Sequence, residues 1–345
     1  MNIVYGILLY LITLVSANVA CAKSVVNVYA WGGEIPKVVL KQFEKETGIK
    51  VNFSTYDNNE TLYAKLRATN NGMYDVILPS SYFVERMKAQ SLLLPLDSRQ
   101  LPNKVNLDKF FVNNTYDEDN KYSIPLIWGV TGLFYNREQV KLAPSAWQDL
   151  WQERWHSALM LLDDAREVFS VALMSLGWSP NDADKVHIEA AYRHLLALIP
   201  NIKLFASESI QAIMIDEDAI AGIAWNGDVF KARLENRTID FVYPKEGFII
   251  WVDCLAIPKN PPHMKEAYQF INFMLKPETG KMIALTQGHA IANAASKALL
   301  PAAIQNNPMI YPSNEVLSRG HFQRNVSDET LNLYAKYWQQ FKLAL

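Results

Sequence analysis

The sequence predicts an α/β protein of two lobes joined by a hinge. Three observations predict it. The chain has 345 residues, half of them apolar, too many for one typical core and enough for two sizeable ones. From Val25 onward, strand-like apolar runs alternate with helical periodicity, the order that gives a mostly parallel sheet with helices on its faces. A second strand-rich region opens near Ser123 with no Pro/Gly/Ser-rich stretch before it, so structure rather than a tether joins the two regions, as a hinge requires.

Each element follows in order. Val25 to Trp31 reads as a buried strand. Pro36 to Thr47 reads as a helix, with Val39, Leu40 and Phe43 on one face and Gly48 as its stop. Ile49 to Tyr56 alternates as a strand does, Glu60 to Thr69 is helical, and Tyr74 to Pro79 is a third strand. Trp31 and Ser80 thus stand at carboxyl ends of strands, where parallel sheets bind their ligands. In the second region, Ser123 to Asn136 reads as two short strands around Trp128-Gly129. Helices are predicted at Trp147 to Trp155 and Asp164 to Leu176, and strands at Leu159 to Leu162, Ala219 to Trp225, Ile239 to Val242 and Phe248 to Ile257. Pro277 ends a helix running from Lys265 to Lys276. The last helix begins after Ser327, with Asp328 and Glu329 in its first turn and an apolar stripe of Leu331, Tyr334, Trp338 and Phe341.

The first 22 residues carry no charged side chain, and Ile7 to Val15 is a nearly unbroken apolar run. Ala20-Cys21-Ala22 follows as a small-residue cleavage site, so residues 1–22 read as a secretory signal peptide. Met1-Asn2-Ile3 departs from that pattern by lacking Lys or Arg. A transmembrane anchor needs about 20 apolar residues, and this run is shorter. A lipoprotein signal with Cys21 acylated is the other alternative, against which Asn18 stands where an aliphatic residue is expected. Loss of Cys21 with the signal leaves Cys254 alone, so no disulfide framework exists. The net charge of −2 offers no basic face for a nucleic-acid partner. The expected state is an exported, periplasmic monomer.

Four local features carry possible chemistry. Asp163-Asp164-Ala165-Arg166-Glu167 ends a strand and opens a helix. Asp164 and Glu167 fall on one face of its first turn, where the positive helix end favours ionised carboxylates. Simple helix capping accounts equally for one Asp. Trp251 and Asp253, two apart on a strand, face the same side, or else are a core Trp and a turn Asp. Trp31 precedes Gly32-Gly33-Glu34, whose glycines permit close approach of a ligand. Trp225 also ends a strand, and Tyr82 follows Ser80-Ser81. Any one of these aromatics suits a core. Together they line the place where a cleft would lie. Carboxylates beside aromatic faces fit an organic cation, with acids pairing the ammonium groups and rings covering the methylene stem.

Enzymatic signatures are weaker. No nucleophile elbow, P-loop or dinucleotide fingerprint occurs, no cofactor is implied, and the six histidines lack metal-ligand spacing. The rival readings are a secreted carbohydrate-active enzyme, which also uses paired carboxylates, and a sugar-binding receptor stacking rings on Trp.

At Phe43 to Val51, Ser54-Thr55-Tyr56, Asn59-Glu60-Thr61, Asp163 to Phe169, Ile223 to Gly227 and Tyr243 to Gly247, the sequence resembles the spermidine/putrescine-binding family of polyamine ABC importers. The likeness runs over essentially the whole mature chain. It implies the hinged "Venus flytrap" fold, each lobe a mixed sheet flanked by helices. One lobe would comprise 23–128 plus 253–300, and the other 129–252 plus 301–345. It implies capture of a polyamine between the lobes and delivery to a membrane permease. It also implies ligand contacts at Trp31, Tyr82, Asp164, Glu167, Ser207, Trp225, Trp251, Asp253 and Gln323, with Asp253 on an inner secondary amine and Asp164 and Glu167 on a terminal one. Three positions depart from the family: Gly32 replaces a hydroxyl residue, and Glu34 and His289 replace tyrosines. Glu34 would be either an extra anion for the second terminal amine or a solvated loop residue. His289, if protonated, would repel a cation and make binding pH-sensitive. Which polyamine is preferred stays open.

Overall fold

The computed structural model describes residues 24–70 and 72–345. The predicted signal segment and Cys21 lie outside them.

Two long strands organise the molecule. β4 (Ser123–Asn136) and β9 (Phe248–Ala256) pair antiparallel from Ser123↔Ala256 to Thr131↔Ile249. At one end of this ribbon, β3 (Val76–Ile77) pairs antiparallel with β9 at Ile77↔Ala256. β3 lies parallel to β1 (Val25–Trp31), and β1 parallel to β2 (Lys50–Tyr56). At the other end, β7 (Ala221–Trp225) pairs antiparallel with β4 from Thr131 to Tyr135. β5 (Leu159–Leu161) then joins β7 and β6 (Ile202–Phe205) in parallel. The order β2-β1-β3-β9-β4-β7-β5-β6 is thus two α/β half-sheets, one per lobe, fused through strands common to both. β8 (Ile239–Val242) and β11 (Gly320–Phe322) extend the second half through β4 and β9, and β10 (Ala290–Ile291) extends the first through β4.

Helices cover both halves. On the first, α1 (Lys37–Thr47) buries Val39 and Phe43 and ends at Gly48, whose φ of 71° is the left-handed geometry glycine adopts without strain. α2 (Asn59–Ala68) follows β2, capped by the Asn58 side chain on the Thr61 amide. α3 (Ser81–Ala89) starts directly after β3 and buries Tyr82 and Phe83. On the second half, α4 (Ala165–Ser175) is almost wholly buried, and α5 (Lys185–Leu198) packs against it. The C-terminal helix (Asp328–Leu343) lies on both, stacking Tyr337 on Tyr192 and setting Tyr334 edge-on to Phe169.

Several elements differ from expectation. Ser123 to Asn136 is one continuous strand with an irregularity between Pro125 and Ile127, not two. Trp128-Gly129 does not break it because Gly129 lets the Trp251 ring lie on the backbone: an added Cβ would sit 2.2 Å from Trp251 Cζ2. The helix predicted at Trp147 to Trp155 is two 3₁₀ turns, Trp147–Trp151 and Glu153–Trp155, in which the Trp147 and Trp155 indoles donate to backbone carbonyls. Pro277 does not merely end the helix at Met264–Met274; it occupies the first turn of another, Pro277–Gln287, where its missing N–H costs nothing. The third strand shrinks to Val76–Ile77. Among the described residues, no helix is long and apolar enough to cross a membrane.

Candidate functional site

The two half-sheets turn their strand ends toward each other where β4 and β9 pass between them. Trp31 is the last residue of β1, Trp225 the last of β7, and Asp253 lies on β9, bridged to Ser80 just after β3. Asp164 sits directly before α4 and Tyr82 in the first turn of α3. These placements follow from topology, because parallel strands deliver their carboxyl ends, and the helix starts after them, to one edge.

Hydrogen bonds fix the first-lobe wall. Ser80 Oγ donates to Asp253 Oδ1 at 2.6 Å. The Asn59 amide nitrogen donates to Ser80 Oγ and to the Tyr82 hydroxyl, each at 3.1 Å, while its carbonyl accepts from the Ser80 amide. Tyr56 donates to the Leu78 carbonyl at 2.6 Å and stands 4.9 Å from the Trp31 ring. On the second lobe, Asp164 Oδ1 accepts from the Glu167 amide at 2.9 Å, which is helix capping. An N-cap uses one carboxylate oxygen, so capping leaves the other free of that role. Arg166, 4 % exposed, lies between the Tyr82 and Tyr334 rings at 5.5 and 5.3 Å, so a lobe-two cation touches a lobe-one aromatic.

The electrostatics are those of crowded, dry acids. Burial pushes the Glu167 carboxyl up to about 8, helped by Asp164, while Thr131 and Arg166 oppose the rise. Burial lifts Asp253 to about 6 against the hydrogen bond from Ser80. Asp164 is raised by burial too, opposed by the Glu167 amide. Glu34 is raised well above the usual carboxylate range, by burial and then by Asp253 beside it. Glu34 is partly buried, with Oε2 shielded from solvent, and like charges held close do not both ionise.

Polar atoms that are normally satisfied when buried lack a partner within the protein at seven of the eleven predicted positions: Trp31 Nε1, Glu34 Oε2, Glu167 Oε2, Ser207 Oγ, Trp251 Nε1, His289 Nδ1 and Gln323 Nε2. Such a concentration is what a site holding a polar guest requires, since each unpaired group costs about 1–3 kcal/mol otherwise. Trp251 meets the His289 ring edge-on at 5.3 Å. His289 in turn lies on Gly227, where an added Cβ would be 2.0 Å from Nδ1. Burial holds the His289 imidazole below its ordinary value, with Asp228 and Lys231 pulling in opposite senses. That direction favours the neutral imidazole at neutral pH. Gln323 follows β11 beside Trp251, through Phe322↔Ile250. Ser207 lines a cavity of about 320 Å³ with Gln211 and Asp228. Among the described residues no group of three or more His, Cys, Asp or Glu is arranged to hold a metal.

Sequence reasoning missed Thr131, Asn59 and Arg166. Thr131 is a hydroxyl in the middle of a buried strand, with an unpartnered Oγ1, and that polarity was its only signal. Arg166 stood inside the acidic motif but gave no hint that it would cross to Tyr82.

A two-lobed α/β fold with unsatisfied acids and indoles between the lobes defines the class of solute-binding receptors. The chain belongs to the bacterial extracellular solute-binding proteins, whose family model matches residues 39–312. It is 41% identical over 315 residues to the spermidine/putrescine-binding periplasmic protein of Escherichia coli, covering 91% of this chain and 90% of that one. To spermidine/putrescine-binding periplasmic protein 1 of Haemophilus influenzae it is 40% identical over 327 residues, covering 94% and 91%. Among solved structures, the spermidine/putrescine ABC transporter substrate-binding protein of Streptococcus pneumoniae superimposes with a TM-score of 0.81 at 34% identity, covering 93% of this chain and 99% of that one. These relatives are binding proteins by name, and the carbohydrate readings are not carried forward.

Proposed function

We propose that this chain is the non-enzymatic solute-binding component of an ABC importer, capturing a polyamine of the spermidine/putrescine kind in the interlobe cleft and delivering it to a membrane permease from the periplasm. The observation that carries this reading is the convergence of Glu34, Asp164, Glu167 and Asp253 with Trp31, Tyr82, Trp225 and Trp251. A flexible polycation gains charge-assisted hydrogen bonds from the acids, and its methylenes gain contact with the rings. Exclusion of water strengthens both. The names of the relatives point to the same ligand class. Capture needs no bond chemistry: the ligand binds one lobe, the other closes on it, and the closed form is what the permease recognises.

The lobes comprise 23–128 with 253–300, and 129–252 with 301–345. The crossings of β4 near Trp128-Gly129 and of β9 near Val252-Asp253 support these limits. Trp251, Asp253, Asp164 and Glu167 hold the amines and stem, and Gln323, Ser207 and His289 complete the wall.

Calorimetric titration of the mature protein with putrescine, cadaverine, spermidine and spermine tests this reading, with an oligosaccharide as control. Polyamines should bind and be recovered intact. Trp251→Ala and Asp253→Asn should each lose about 2 kcal/mol or more. Unchanged binding in both variants, or binding of the glycan alone, would refute it.

A further inference from the structure

Tyr82, Glu85 and Arg86 are spaced three and four apart, so they share one face of α3. Each meets residues of the second lobe. The Tyr82 ring has the Arg166 guanidinium over it at 5.5 Å. Glu85 accepts from Arg324 Nε at 3.1 Å and Nη2 at 2.7 Å, the two-pronged geometry in which arginine–carboxylate pairs are strong, and from the Asn325 amide at 2.9 Å. Arg86 donates to the Asn325 side chain at 3.3 Å and to the Val326 carbonyl at 3.4 Å, and it pairs with Asp328. Desolvation works to raise the Glu85 carboxyl, but Arg324 and the Asn325 amide hold it below its ordinary value, so it is ionised at neutral pH.

The two sides of this contact are anchored separately. On the first lobe, Asn59 donates to the Tyr82 hydroxyl at 3.1 Å, and Lys88, at the far end of α3, donates to the Tyr116 carbonyl at 2.8 Å. On the second, the Asn181 side chain brackets the facing segment, donating to the Phe322 carbonyl and accepting from the Arg324 amide, each at 2.8 Å. Arg166 Nη2 donates to the Arg324 carbonyl at 3.3 Å, and Tyr334 to the Asp182 carbonyl at 2.9 Å. Parting the lobes along the limits proposed above breaks the contact on α3 and leaves both sets of anchors whole. Glu85 stands one helical turn beyond Tyr82, and Arg324 one residue beyond Gln323. They adjoin the site without belonging to the set expected to touch the ligand.

We propose that Glu85 and Arg324 are positioning residues, a clasp beside the cleft that holds the lobes closed over a captured polyamine and sets how slowly it leaves. This rests on the polyamine reading and the lobe limits above. With the lobes parted, both groups are hydrated and the clasp contributes nothing. It therefore acts only after closure, shifting the balance between closed and open forms by its own free energy. Encounter with ligand belongs to the open form, and escape to the opening of the closed one, so the clasp governs dissociation and not association. Partial exposure, 42 % for the Arg324 side chain and 20 % for that of Glu85, keeps the clasp breakable and sensitive to salt.

Stopped-flow tryptophan fluorescence on the mature protein with spermidine separates the two rates. Glu85→Gln, which keeps an oxygen for the Asn325 amide, and Arg324→Gln should each speed dissociation about five- to tenfold and leave association within about twofold of the wild type. The double variant should dissociate no faster than either single one, because each removes the same clasp. Raising salt from about 0.05 M to about 0.5 M should speed dissociation more in the wild type than in the double variant. The two substitutions lie on different lobes, so a folding defect peculiar to one does not decide the result. Dissociation unchanged in both single variants, or two effects that multiply in the double variant, overturns the clasp while leaving polyamine binding intact. Failure of every polyamine to bind the wild type instead overturns the function, and the clasp with it.

Discussion

Glu167 is the residue where binding and stability pull hardest against each other. Its carboxyl is buried and titrates near 8, against an ordinary value near 4.5, so at neutral pH most ligand-free molecules carry it protonated. An ammonium ligand favours the ionised form. Affinity for spermidine should therefore rise as pH goes from 5.5 to 8, by at least about tenfold, as Asp253 near 6 and then Glu167 lose their protons. A flat profile measured by calorimetry would contradict this. The sign for stability is the reverse. A carboxyl whose folded-state value is raised contributes stability present below about 4.5 and lost as pH rises through 8. Glu167→Gln removes that loss. The variant should be more stable than the wild type at pH 8, by about 2–4 kcal/mol, and the gap should close toward pH 5 in chemical unfolding. It should also bind polyamine more weakly.

The same trade appears one level up, in helix α4. Asp164 caps it through the Glu167 amide while leaving its second oxygen for the proposed ligand, and two substitutions separate these roles. Asp164→Asn keeps an accepting oxygen and should leave the melting temperature nearly unchanged while weakening binding. Asp164→Ala removes both and should cost about 1 kcal/mol of stability as well. Equal affinity in the Asn variant and the wild type, with stability lost only in the Ala variant, would reduce Asp164 to a cap. Helix α3 shows a related economy. Its start supplies Tyr82 to the site, and its second turn supplies Glu85, which accepts from Arg324 at 2.7 and 3.1 Å and from the Asn325 amide at 2.9 Å. Arg86 pairs with Asp328. One short helix thus ties the site to the segment leading into the C-terminal helix.

At the scale of the whole molecule, the lobes are joined by two strands that belong to both, so relative motion must bend β4 and β9 rather than swing on a loose linker. Trp251 and Gly129 lie face to face at that crossing, close to the acids, so a ligand bound there touches the pivot. Small-angle X-ray scattering should register a decrease in radius of gyration when spermidine is added to ligand-free protein. An unchanged radius at saturation would rule out closure as the capture step.

What the sequence by itself determined is local or periodic. The alternation of Val25 to Tyr56 marks strand, helix and strand because side chains on each element face one core with a fixed period. Trp31, Ser80 and Trp225 were legible as strand ends, and Asp164 with Glu167 as one helical face. The matches from Phe43 to Gly247 gave the ligand class. The tertiary structure decided everything that depends on residues far apart in sequence. It made Ser123 to Asn136 one strand, because β9, β7 and β8 satisfy its backbone along its length. It brought Arg166 onto Tyr82. It also drew Glu34, in a loop after two glycines, out of solvent at Oε2. A carboxyl's proton affinity is set by the solvent it loses and the charge it meets, and no spacing in a single sequence encodes either.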